Sequence, residues 1–150
     1  NGVSTIDAEL LSPFYNDASL IEQISKDEDY LKAKDAFLST LDALANDSSY
    51  ARYILEKSVM PVITTKPNAR KFFDFLSCAI EDAVSIKNNE NITLESLKGT
   101  ISQINNSIPS LEDALLNTLT LRGEIESNIN LGLLLAHLIT LICKETTHEW

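Results

Sequence analysis

Side chains able to do chemistry are few in this sequence. His137 and His148 are its only histidines, and Cys78 and Cys143 its only cysteines. A zinc site on a helix wants a second ligand three or four residues on, and from His137 those places hold Thr140 and Leu141. His137 therefore reads as a satisfied histidine at the edge of a core. The two cysteines do not make a disulfide framework. Each falls inside a helical pattern, so free thiols are the default and one bridge between the two helices is the alternative. Cys78 lies in the polar arc of its helix with Lys71, Asp74 and Ser85, where cover by a second helix is expected over a redox or contact role. Asp27-Glu28-Asp29 lacks the glycine and distal glutamate of a calcium loop. There is no glycine-rich phosphate loop, no G-x-S-x-G elbow and no E-x-x-H pair. No metal, cofactor or catalytic residue is expected, and the balance leans away from an enzyme.

One stretch stands apart by charge. "KSVMPVITTKPNARK", residues 57–71, holds Lys57, Lys66, Arg70 and Lys71 and no acid, in a chain of 12 basic and 22 acidic residues. Arg70 and Lys71 fall at the start of a helix, where positive charge opposes the helix dipole. That placement invites an anion or an acidic partner at free N–H groups. The competing expectation is an ion pair with an acid from elsewhere in the fold.

The elements that must hold these residues are helical. Long runs with only four glycines and four prolines, and with little β-branched alternation, indicate an all-α protein. The first eleven residues are expected to be frayed, and Asp17 to cap a short helix reaching Lys26. Asp27-Glu28-Asp29 opens a helix whose core stripe is Tyr30, Ala33, Phe37, Leu41 and Leu44. A helix from Tyr50 to about Met60 stops at Pro61. A long one follows over 68–87, with Phe72, Phe73, Phe75, Leu76 and Ile80 on its apolar side. Thr93 is expected to cap a helix carrying Leu94, Leu97, Ile101 and Ile104, and Ser110 one that ends near Gly123.

"LGLLLAHLITLICKE", residues 131–145, is the most apolar run. Its apolar part is too short to span a bilayer, which takes about twenty residues. It predicts the central helix of the bundle, over 124–145, with Gly132, Ala136 and Cys143 as a small-residue stripe for a close neighbour. Helix starts about forty residues apart match the period of helical repeats, but the internal match is poor and a bundle is preferred.

These elements predict one domain over the 150 residues, a single compact bundle of five to seven helices. A formal charge of −10 repels nucleic acid and anionic lipid, so another protein is the expected partner, with a homodimer as the alternative. Sequons at Asn46, Asn91 and Asn105 are no more than chance supplies. The chain opens on Asn1 rather than Met, which leaves a removed signal peptide open, and a cytoplasmic location is the expectation. By elimination the function is a non-enzymatic protein–protein interaction module: an adaptor, an immunity-like protein or an effector domain. The alternative is a small-molecule-binding or enzymatic bundle with a cavity lined by Phe72, Phe73, Phe75 and His137.

Overall fold

Asp27 begins the helix on which the N-terminal half is built. Its carboxylate accepts the Tyr30 N–H at 3.1 Å, and Glu28 and Asp29 place negative charge at the positive end of the dipole. In the computed structural model, which describes residues 3–127 and 130–143, this helix is α3 (Glu28–Asn46). The expected stripe of Tyr30, Ala33, Phe37, Leu41 and Leu44 is fully buried along it. Asp17 caps α2 (Ala18–Ile24) through the Ser19 and Leu20 N–H groups. Within the first eleven residues, 5–11 depart from expectation: α1 (Thr5–Leu11), capped by Ser4, buries Leu10 and Leu11, and residues 1–2 lie outside the described residues.

Asp47 ends α3 and caps α4 (Ser48–Ile54), which widens into a π-helical turn over Leu55–Val59. There the Met60 N–H reaches back five residues to Leu55 O at 2.9 Å, and Pro61, with no N–H to give, ends the run. Thr65 and Asn68 then form a reciprocal capping box for α5 (Lys66–Lys87). Asn68 is buried and also donates to Val62 O at 3.1 Å, so its amide is well used.

α5 is the hub. It packs against α3 on one side and α7 (Leu111–Arg122) on another, in the most extensive contacts of the fold. Phe75 meets Tyr30 and Phe37 edge-on, each with ring centroids 5.9 Å apart, which locks α5 to α3. Arg122 donates to both oxygens of Asp74, at 2.9 and 3.2 Å, which does the same for α5 and α7.

Two expectations are corrected. The helix foreseen from Thr93 is broken into a 3-10 turn (Glu95–Leu97), α6 (Lys98–Ile101) and a second 3-10 turn (Ile104–Asn106). Thr93 caps nothing: the Ser96 N–H that its hydroxyl would accept is taken by Glu9 at 3.1 Å, and the N–H groups of Thr93 and Leu94 by the buried Asp82 carboxylate, at 2.9 and 2.8 Å. Leu94, Ile101 and Ile104 are nevertheless buried.

The second correction concerns the apolar C-terminal helix. α8 spans Leu131–Ile142, and residues 128–129 and 144–145 lie outside the described residues. It packs on α7 and on the π turn, and it buries Leu134, Leu135, Leu138, Ile139 and Ile142. Leu133 is 67% exposed, and Leu141 is exposed as well. The most extensive helix contacts of the fold are made by α5, with α3 and α7, and not by α8. Among the described residues there are eight α-helices, one more than the upper bound expected, and no strand. The all-helical class holds. No described helix is long and apolar enough to cross a membrane.

Candidate functional site

The basic stretch does not form one cluster. Arg70, on the second turn of α5, pairs with the Glu126 carboxylate, and Lys66 Nζ donates to the Glu126 carbonyl at 2.7 Å. Glu126 belongs to a 3-10 turn (Ile125–Ser127) after α7, so two cations at the start of α5 converge on one distant turn. Lys57 is exposed on the π turn and Lys71 is half-buried on α5. Neither has a carboxylate within ion-pair distance among the described residues. Lys66 also borders an open cleft of about 430 Å³ with Met60, Thr64, Asn130 and Gly132.

The four residues proposed for a cavity are not brought together. Phe72, Phe73 and Phe75 are buried in the hydrophobic core, with Phe72 and Phe73 edge-on at 5.9 Å. His137 is exposed on α8. His148 lies outside the described residues. Among the described residues no group of three His, Cys, Asp or Glu side chains is placed to hold a metal ion.

Both thiols are free. Burial pushes Cys143 up to about 11, against the opposing influence of Arg52. Burial also raises Cys78, helped by the charges of Asp82 and Glu81, to about 12. Cys78 is half-covered and sits in the wall of a cleft of about 230 Å³ with Phe14, Glu81, Leu115 and Leu119.

No motif or periodicity in the sequence foretells this cleft. Phe14 comes from the turn after α1, is 46% exposed, and reaches Phe75 with ring centroids 6.5 Å apart. Leu115 and Leu119 are one turn apart on α7, with Leu116 beside them. Leu116 is 65% exposed and Leu119 52%, while Thr118 on the same helix is fully buried. The Thr118 hydroxyl is satisfied by Ala114 O at 2.7 Å. A signal existed for the exposed leucines: the leucines of α7 spread over an arc wider than half its circumference, so burying one face had to leave others in water. A second, shallower cleft of about 520 Å³, lined by Thr5, Ala8, Glu9 and Ser12, shares Pro13 and Thr93 with the first. The two make one groove running from α7 across the Phe14 turn to α1.

The walls of this groove contain Glu9, Asp74 and Glu81 and no lysine or arginine. It offers apolar contact and negative charge. Comparison with known proteins adds no relative: no protein-family model, no curated protein and no solved structure matches the chain.

Proposed function

We propose that this protein is a non-enzymatic protein–protein interaction module that binds its partner through the groove between α7 and the Phe14 turn. The observation that carries this reading is the inverted burial on α7, where Thr118 is inside while Leu116 and Leu119 face water. Exposed leucines grouped on one helix beside an aromatic ring favour a contact surface over a fully solvated face. Phe72, Phe73 and Phe75 belong to the buried hydrophobic core and line none of the clefts described above, which favours the same reading over a ligand-holding interior. An affinity capture from the native host tests it, with the parent protein and the Leu116→Ser, Leu119→Ser double variant as parallel baits. A partner quantified by mass spectrometry should drop about ten-fold or more with the variant. A captured set that is the same for both baits would rule the groove out.

A second reading places an acidic partner at Lys57 and Lys71, and it is favoured by their having no ion-pair partner among the described residues. It expects a Lys57→Glu, Lys71→Glu bait to lose that same partner while the leucine variant retains it.

A further inference from the structure

We propose that the occupant of the groove is a basic amphipathic helix, a segment of a partner protein that lays an apolar stripe against Phe14, Leu115 and Leu119 and sets lysine or arginine opposite Glu81 and Glu9. The inference rests on the interaction-module reading and adds to it the partner's chemistry.

Charge carries the argument. Of the three carboxylates in the walls, Asp74 is matched by Arg122. Glu81 is exposed and makes no ion pair among the described residues. Glu9 accepts the Ser96 N–H at 3.1 Å and the Ser96 hydroxyl at 2.9 Å, bonds that orient its carboxylate and leave its charge unmatched. With no cation in the walls, an apolar segment flanked by acids would be repelled there and one flanked by lysines would be drawn in. The upward shift of the Cys78 thiol reports the same negative field from within, since after burial its causes are the charges of Asp82 and Glu81. A second copy of the chain fits poorly, because each copy carries a formal charge of −10. The described residues include no strand, so no sheet edge is offered for an extended peptide. Exposed leucines one turn apart on α7 beside the Phe14 ring suit the apolar stripe of a helix, so helix-in-groove contact is the mode inferred.

The test is fluorescence anisotropy with a labelled helical peptide of about sixteen residues, leucines at i, i+3, i+4 and i+7 and lysines on the flanks. Two control peptides accompany it, one with glutamate in place of lysine and one with the same composition scrambled to break the stripe. The basic amphipathic peptide should bind the native protein, and Leu119→Lys and Glu81→Lys should each weaken it by about ten-fold or more. Both positions are exposed, so circular dichroism and melting should be unchanged in the variants. The scrambled and acidic peptides should bind at least ~ten-fold more weakly. Equal binding of the scrambled peptide, or indifference to both variants, would overturn the proposal. Sedimentation velocity is run on the same samples. A dimer that Leu119→Lys splits would assign the groove to a second copy, which overturns this occupant. If host capture loses a partner with the leucine variant while the basic peptide does not bind, the module reading stands and this inference alone fails.

Discussion

Asp7 shows how much of this fold hangs on single polar contacts. Burial raises its carboxyl pKa, but hydrogen bonds from Lys34 (2.8 Å), Tyr30 and Ser4 outweigh that and hold it below the usual range. Tyr30 is pushed well up, first by burial and then by Asp7. A depressed carboxylate gives stability that is fully present above its unfolded pKa of about 4 and is lost as pH falls through the folded value. Asp7→Asn should therefore cost about 1–3 kcal/mol at neutral pH, and the gap from the parent should narrow in acid. Urea titrations at pH values of about 7 and 3 check both halves, and an equal gap at both would remove Asp7 from the account. The cysteines give a separate expectation. With both thiols raised, alkylation in the native protein at mildly alkaline pH should be far slower than in denaturant. Native and denatured rates that coincide would contradict their burial. None of the Asp7 cluster was legible in the sequence, because its members come from two helices, and one of those was expected to be frayed.

Local chemistry made several elements readable. The acids at 27–29, the Asp17 cap and the Ser110 cap stand where their side chains predict, because N-caps depend on neighbours within three residues. The helix expected from Thr93 failed for the opposite reason: Glu9, distant in the chain, takes the Ser96 N–H that a Thr93 cap needs, and Asp82 holds the N–H groups of Thr93 and Leu94. Asp82→Ala should thus leave two N–H groups unpaired, one in a buried residue, and cost about 2–4 kcal/mol. Hydrogen exchange should quicken first at Thr93 and Leu94, and a uniform change across the chain would argue against a local anchor. Gly132 was read as a close helix contact. A Cβ there would lie 3.1 Å from Met60 Cε, the movable end of a long side chain. Gly132→Ala should accordingly cost under ~1 kcal/mol and Gly132→Leu about 1–3 kcal/mol. Met60→Ala should recover part of the leucine penalty in thermal melts, and full additivity would show that the two sites do not meet.

At the scale of the molecule, periodicity revealed which faces are apolar but not which helix lies in the middle. The mean hydropathy of 131–143 favoured the C-terminal helix, whereas length and three phenylalanines put α5 there. The groove escaped for a similar reason: Phe14 is near Leu119 only after α1, α5 and α7 have packed. α5's position has one more consequence. It belongs by chain order to the first 87 residues, yet its partner α7 comes from the last forty, and Asn88 to Asn91 between them are exposed. Glu9–Ser96, Asp82–Leu94, Lys87–Glu112 and Asp74–Arg122 all cross that joint. A protease site placed at 88–91 and cut should yield two bands under denaturing conditions and one folded species under native ones, a protein in two pieces that behaves as a whole.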